Sequence, residues 1–351
     1  MNTLKDVMNK MTQEGVVFPR TETNQYRLSI QDCYKVADYL GVERYQEQGL
    51  DAFVSIFQNL KGGVGKSLGT NMIAEGMKLL PRYILSQIRV LIIDLDPQGT
   101  STQQVLPGHE IADTDLTSIL AMASPELTRE ELIEHGIKQT SIDGLDVLPC
   151  GTSDGFLADE LDDPEVTHGM PFFNLLKARV INAIKQDYDF IFLDAGPHMD
   201  KVMKNCLAAA NGVLVPIPPT FYNFDSTVRF IERLPDVIKE MADEGMDLNN
   251  LQYIGAYVSR DNKKQQHDQD IYEGAMAEMY EIFGHQHVIK HSLPAEEAYE
   301  RSTESSATIF SIAQKDYTGS KDAYKRAYQK AQDWAQEVIE MMCYYHKQAE
   351  K

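Results

Sequence analysis

Seven consecutive residues, Lys61-Gly62-Gly63-Val64-Gly65-Lys66-Ser67, constrain this chain more than any other stretch. An apolar run, Ala52-Phe53-Val54-Ser55-Ile56-Phe57, precedes them and reads as a buried strand. Residues 68–80 follow and read as a helix. Strand, glycine-rich turn and helix together are the setting a phosphate-binding loop requires. Gly62, Gly63 and Gly65 let backbone N–H groups curl closely around phosphates, where a side chain would block the approach. The helix N-terminus adds donors and a partial positive charge. The pattern assigns Lys66 to the β- and γ-phosphates and the Ser67 hydroxyl to Mg²⁺. Val64 and Leu68 complete a nucleotide-binding set that runs over residues 61–68. A tight turn alone would also use the glycines; the Gly-Lys-Ser ending after a strand favours nucleotide.

Two further apolar runs end in aspartate. In Arg89-Val90-Leu91-Ile92-Ile93-Asp94-Leu95-Asp96-Pro97-Gln98-Gly99, four apolar residues make a buried parallel strand with two carboxylates at its C-terminal edge. Ligands bind at that edge in open α/β sheets. A carboxylate there orients water or holds the shell of a Mg²⁺ ion, which makes Asp94 a catalytic and a metal candidate. A strand end capped by turn formers is the plainer alternative. In Asp189-Phe190-Ile191-Phe192-Leu193-Asp194-Ala195-Gly196-Pro197 a second strand ends in Asp194, placed to accept from metal-bound water. The metal candidates are therefore Ser67, Asp94 and Asp194. Loop, first aspartate and second aspartate in this order are much more specific than any one of them.

The 351 residues suffice for one large α/β domain and a small one. No apolar stretch approaches the about 18 residues of a membrane span. The start, Met1-Asn2-Thr3-Leu4-Lys5-Asp6, lacks the apolar core of a signal peptide. Cys33, Cys150, Cys206 and Cys343 lie far apart, with no Cys-x-x-Cys, which argues against a zinc site or a disulfide framework and fits a reducing cytoplasm. Net charge is −20, from 33 Lys+Arg against 53 Asp+Glu, so any DNA contact must be a local patch on an acidic body. Residues 300–330 offer one: Arg301, Lys315, Lys321, Lys325, Arg326 and Lys330 against Glu300, Glu304, Asp316 and Asp322. A solvated, mixed-charge helix face is the competing reading.

Candidate strands are 52–57, 89–94, 145–149, 189–194, 212–217 and 253–259, with helical stretches between them. Such alternation implies a doubly wound, mostly parallel sheet with helices on both faces, an α/β fold over residues 51–351. Residues 153–171, rich in Asp, Gly and Pro, read as a surface excursion. Leu293-Pro294 follows another short strand, and its turn is placed to flank the base. A long helix runs from 321 to about 346.

Residues 1–50 form a small extension. Thr3 is positioned to cap a helix over 4–14, and Ser29 a second over 30–40 that Gly41 stops. Val16-Val17-Phe18 and Tyr26-Arg27-Leu28 are expected to pair as a ribbon. Helix, ribbon and helix resemble the later part of a winged helix-turn-helix, with Lys5, Asn9, Lys10 and Gln13 toward a groove and Arg20 and Arg27 toward phosphates. The alternative is a small extension that packs on the larger domain.

With these residues in view, the chain resembles the deviant Walker A, or ParA/MinD, class of P-loop NTPases, and within it the long-form (type Ia) ParA partition ATPases of low-copy plasmids and secondary chromosomes. The likeness covers nearly the whole chain. It includes Asn59-Leu60-Lys61-Gly62-Gly63-Val64, Ile93-Asp94-Leu95-Asp96-Pro97-Gln98, Gly196-Pro197-His198-Met199-Asp200 and Arg233-Leu234-Pro235, then Tyr317, Gly319-Ser320 and Ala323. The resemblance implies that Lys61 reaches the partner's phosphates across a nucleotide-sandwich homodimer and belongs with Lys66 and Asp94 in the catalytic set. Asp94 positions the attacking water, and Asp96 and Gln98 support the site and the dimer face. It implies ATP/ADP and Mg²⁺ as cofactors. The implied partners are a second copy as dimer or filament, a ParB-type centromere-binding protein, non-specific DNA and an operator. DNA binding falls on Arg301 and Lys325, with Arg326 beside them, in a cytoplasmic, nucleoid-associated protein.

The chain departs from the family pattern in four places. Ala195 and Gly196 stand where the family usually has Thr or Ser and then Pro, and Ala295 where it often has Arg. Only 60 residues precede Lys61, where the family usually has a longer region with a dimerising helix and the first helix of the DNA reader, and this leaves operator binding open.

Three rivals share parts of the pattern. A MinD-like membrane-associated positioning ATPase needs a basic amphipathic tail, whereas residues 334–351 mix Val338, Ile339, Met341 and Met342 with Glu337, Glu340 and Glu350. A tyrosine kinase would use Tyr317, Tyr324, Tyr328, Tyr344 and Tyr345, whose helical spacing suits packing. A scaffold that binds nucleotide without turnover is the third.

Overall fold

Each apolar run read from the sequence becomes a strand of one sheet in the computed structural model, which describes residues 4–112, 115–219, 221–261 and 266–348. The strands are β1 (Phe53–Phe57), β2 (Val90–Asp94), β3 (Lys138–Gln139), β4 (Leu145–Leu148), β5 (Phe190–Asp194), β6 (Gly212–Ile217), β7 (Tyr253–Ser259) and β8 (Val288–Leu293). Their order is β3-β4-β2-β5-β1-β6-β7-β8. All pairings are parallel except β3 with β4, so the sheet is doubly wound and mostly parallel as expected. The edge strand β3 has two polar residues and no apolar pattern to announce it.

Side-chain parity divides the core. Val54, Ile56, Leu91, Ile93, Ile191 and Leu193 point to one face, and Phe53, Phe57, Val90, Ile92, Phe190 and Phe192 to the other. Strands buried on both faces read as continuous apolar runs, which is why these segments were legible. The principal helices are α1 (Leu4–Gln13), α2 (Ile30–Tyr39), α3 (Lys66–Leu79), α4 (Thr100–Val105), α5 (Lys201–Ala209), α6 (Phe221–Asp243), α7 (Gln266–Phe283), α8 (Glu297–Glu304) and α9 (Lys321–Gln348). The phenylalanine face is covered by α3 and α9. Gly69 lets α3 press onto the sheet, because a Cβ there would lie 2.8 Å from Tyr257 Oη and 3.2 Å from Phe57 Cδ1.

The α9 helix buries Tyr324, Ala327, Ala331, Trp334, Ala335, Val338, Ile339 and Met342 along one stripe at helical spacing. Trp334 is fully buried, with ring centroids 5.1 Å from Tyr257 and 6.5 Å from Phe57. Losing a ring from such a site costs about 3–5 kcal/mol. Val338, Ile339 and Met342, which a membrane-binding tail would have to expose, are thus committed to the core. Among the described residues no helix is long and apolar enough to cross a membrane. Of the five tyrosines, Tyr317 and Tyr324 are buried and Tyr345 bonds His287 at 2.8 Å, as packing residues do. The four cysteines are free thiols.

Several expectations shift. The helix after the glycine loop begins at Lys66 rather than at 68, because Gly65, with φ 96°, turns the chain directly into it. Residues 153–171 are more than a surface excursion: Leu161 is fully buried, and Asp154 accepts from Gly151 N at 2.7 Å and Thr117 Oγ1 at 2.8 Å. In the N-terminal extension, Val7, Met8, Met11, Phe18 and Val36 make their own small apolar cluster. The Ser29 capping box starts α2 as expected, while Thr3 lies outside the described residues. The ribbon does not pair 16–18 with 26–28. One bridge, Arg20 with Tyr26, forms instead, flanked by Arg27 N to Pro19 O at 2.9 Å and Thr21 N to Gln25 O at 2.8 Å. The turn closes tightly because Asn24 accepts a positive φ of 60°, which moves the pairing toward the loop.

Candidate nucleotide site

The glycine loop joins the C-terminal end of β1 to α3. Gly63 (φ 71°) and Gly65 (φ 96°) occupy the left-handed region that other residues avoid. The loop is tied down at its start. Asn59 accepts from Lys61 N at 3.0 Å and donates to Pro216 O at 2.9 Å, and Gln58 Nε2 donates to Gly196 O at 3.1 Å. Lys66 is buried, and its ammonium donates to Lys61 O at 3.4 Å. Burial lowers its pKa, against the raising pull of Asp194 and Asp96. The cation is therefore held inside the protein next to carboxylates, where an anionic ligand would complete it. Val64 is buried, whereas Gly62 and Gly63 are exposed.

Asp94 and Asp194 end β2 and β5 on the face that α3 covers, and both are fully buried. Asp94 Oδ2 accepts from Thr102 N and Thr102 Oγ1, both at 2.8 Å, and its Oδ1 from Asp96 N at 3.2 Å. Asp194 Oδ2 accepts from Ser101 Oγ at 2.6 Å, and Ser67 lies within hydrogen-bond reach of the same carboxyl. Its Oδ1 has no partner among the described residues. Burial raises both pKa values, and for Asp94 the neighbouring Asp194 charge adds to the rise. Asp96 accepts from Gln98 N at 3.0 Å, so the Asp-Pro-Gln turn is self-braced.

Ser101 and Thr102 were not foreseen. Both sit on α4, directly after Gly99, and a Ser/Thr pair at the start of a helix beside two strand-end carboxylates is the signal that was available. The short helix is anchored in turn. Asn71 of α3 donates to Gln104 Oε1 at 2.7 Å, and Gln104 Nε2 donates to Ala307 O at 3.0 Å, just beyond α8. Glu75 of α3, fully buried, accepts from Thr308 Oγ1 in the same connection, and burial pushes its carboxyl up to about 7.

The remaining candidates are spread out. Pro294 lines a cavity of about 570 Å³ with Asp261, Lys290, Ala295, Arg326 and Lys330. Lys325, exposed one residue earlier on α9, opens on a different groove beside Tyr324 and Tyr328. Arg301 lies on α8 and pairs with Glu297 at 2.5 Å. The structure thus joins Arg326 to Pro294 but does not gather Arg301, Lys325 and Arg326 around one cavity.

The donors fit a hard cation. The Ser67 hydroxyl and the Asp194 carboxyl, one oxygen of which has no partner among the described residues, offer oxygen donors only, and no group of three or more His, Cys, Asp or Glu gathers for a metal among the described residues. Mg²⁺ binds through one or two carboxylates and substrate phosphates in this way.

The family described as an AAA domain matches residues 53–247. Plasmid partition protein A of Escherichia coli is 35% identical over 338 residues, spanning 95% of this chain and 83% of that protein. This chain belongs to the plasmid partition protein A, or ParA, family. A solved partition protein has the same fold as this ParA chain, with TM-score 0.77 and 24% identity over 97% of this chain and 87% of its own. Cobyrinic acid a,c-diamide synthase from Mycobacterium smegmatis, solved with a bound ATP analog and magnesium, shares the P-loop fold at TM-score 0.57 and 19% identity, over 82% of this chain and 94% of that one. Within the ParA chain, the loop, Asp94 and Asp194 fall inside the 53–247 match, whereas Pro294, Arg301, Lys325 and Arg326 fall outside it.

Proposed function

We propose that this chain is the ATPase of a DNA partition system. The observation that carries the reading is the pair of buried strand-end carboxylates, Asp94 and Asp194, beside a buried lysine at a glycine-loop helix N-terminus. Lys66 supplies a desolvated cation for the β- and γ-phosphates, and residues 62–68 supply backbone donors. Ser67 and Asp194 would hold Mg²⁺, which would supply positive charge against the phosphates. Asp94, fixed by Thr102, orients the attacking water and borders the metal shell. Pro294 flanks the base.

Lys61 acts across a homodimer, completing the partner's site. The ATP-bound state holds non-specific DNA through Arg301, Lys325 and Arg326, and a ParB-type centromere-binding protein stimulates hydrolysis and so releases the DNA. Residues 1–50, with their own apolar cluster, act as a winged-helix-like extension beside the 51–351 ATPase domain, and operator DNA is their candidate ligand. The site of action is the cytoplasm, on nucleoid DNA. Membership of the ParA family and the ATP analog and magnesium bound by a protein of the same fold support this reading.

The test is ATP turnover by the chain alone, with duplex DNA, and with DNA plus a ParB-type partner. Slow turnover that rises at each step is expected. Turnover indifferent to both additions would sink the partition reading.

A further inference from the structure

Arg260, the residue that follows β7, has a conformation that its local sequence does not call for. It is not a glycine, yet its φ is 55°. The β7–β8 ladder slips in register between Tyr257 and Ser259 immediately before it, and Arg260 N then donates to Leu293 O at 2.7 Å. A register slip re-aims the next side chain, and an arginine in the left-handed region carries a backbone cost that its surroundings must offset. The guanidinium so aimed does two things. One nitrogen donates to the Gly63 carbonyl of the phosphate loop at 3.2 Å, and the other meets Glu300 Oε1 of α8 at 3.5 Å.

We propose that Arg260 is a positioning residue of the nucleotide site: it holds the Gly63 carbonyl and thereby sets the orientation of the Gly63–Val64 peptide, while Glu300 holds the guanidinium. The inference rests on the nucleotide reading above. A trans peptide is planar, with its C=O and N–H pointing opposite ways. Fixing the Gly63 carbonyl against Arg260 therefore aims the Val64 N–H away from Arg260. Gly63 has no side chain to hold its own peptide, so a donor from outside the loop has to do so. An arginine can make both contacts with one planar fork, which a lysine cannot. The ion pair is exposed on both sides, 49% and 68%, so it adds little to fold stability, and the effect belongs to the ligand-bound state.

The test uses the full chain and Mg-ADP or Mg-ATP in calorimetric titrations, with melting of the nucleotide-free protein alongside. Arg260→Gly removes the fork while suiting the positive φ. It should raise Kd for both nucleotides about tenfold, the loss of one charge-assisted hydrogen bond. KM should rise with little change in kcat, and the nucleotide-free melting midpoint should hold. Arg260→Lys should be intermediate, and Glu300→Gln should shift Kd in the same direction by less. Lys66→Ala serves as the control. If it loses nucleotide while Arg260→Gly binds like the wild type, the role of Arg260 is wrong. If Lys66→Ala binds like the wild type, the nucleotide reading itself fails. Should Arg260→Gly melt earlier, Glu300→Gln decides: a raised Kd supports the bridge, and an unchanged Kd overturns it.

Discussion

Asp94 and Asp194 are register partners, the last residues of two neighbouring parallel strands, and strand parity turns both carboxyls to the face on which the phosphate-loop helix lies. Their surroundings differ. Asp94 accepts three hydrogen bonds, two of them from Thr102, whereas Asp194 has Ser101 on one oxygen and no partner among the described residues on the other. Burial raises both carboxyls, the Asp194 charge adds to the rise at Asp94, and a cation bound beside them would offset this cost. On the proposed reading, this asymmetry would assign the cation to Asp194 and leave Asp94 as a fixed acceptor for water.

Thr102→Val tests that fixation. The valine keeps the N–H bond and loses the Oγ1 bond of 2.8 Å. Turnover should fall about tenfold, the value of one hydrogen bond to a charged group, with ATP affinity within about twofold of wild type. Steady-state kinetics with a parallel binding titration measures both. Loss of affinity without loss of turnover would assign Thr102 to ligand binding instead.

Lys66 and Lys61 should separate. Lys66→Ala removes the buried cation and is expected to abolish tight nucleotide binding. Lys61→Ala should keep binding while blocking ATP-dependent dimerisation and turnover. Titration and sedimentation with ATP check this. Equal loss of affinity in both variants would argue against a role for Lys61 across the dimer.

Glu75 predicts a pH dependence of stability. Its carboxyl is raised from 4.5 to about 7 by burial, so the native state holds a proton that the unfolded chain has already released. The stabilisation is complete below pH 4.5 and is lost as pH rises to about 7, up to roughly 3 kcal/mol from a shift of this size. Glu75→Gln keeps an acceptor for Thr308 and removes the titration. Denaturant unfolding should show the variant close to wild type at about pH 5 and more stable at about pH 8. Identical profiles would place the Glu75 proton elsewhere.

The apolar strands, and the positions of Lys66, Asp94 and Asp194 at the loop and at the strand ends, were legible because burial on both faces, glycine punctuation and strand-end carboxylates leave local traces. Parity counting along Val90 to Asp94 and Phe190 to Asp194 would also have placed both aspartates beside α3. What remained hidden depends on pairings distant in sequence. Arg260 meets Gly63 across 197 positions, Thr308 meets Glu75 across 233, and Gln104 meets Ala307 across 203. The ribbon was misplaced because its register follows the turn at Asn24 rather than the apolar residues of 16–18.

The proposed DNA-binding residues make a salt prediction. Arg301 is paired with Glu297 in this state, so phosphate must compete with that carboxylate. Arg301→Ala or Lys325→Ala should weaken ATP-dependent duplex binding. Each should also make the slope of log affinity against log salt shallower, by about 0.9 for every phosphate the variant no longer neutralises. Glu297→Gln should strengthen binding by releasing Arg301. Unchanged affinity and slope in the double variant would move the DNA site to Lys5, Lys10, Arg20 and Arg27.

The most direct measurement of the central claim is ATP binding and single-turnover hydrolysis by Asp94→Ala, with DNA and a ParB-type partner present. The expected result is an ATP-bound protein with affinity within a few-fold of wild type and hydrolysis slowed by about 10²-fold or more, the scale of a lost catalytic proton acceptor. Hydrolysis at the wild-type rate in that variant would contradict it.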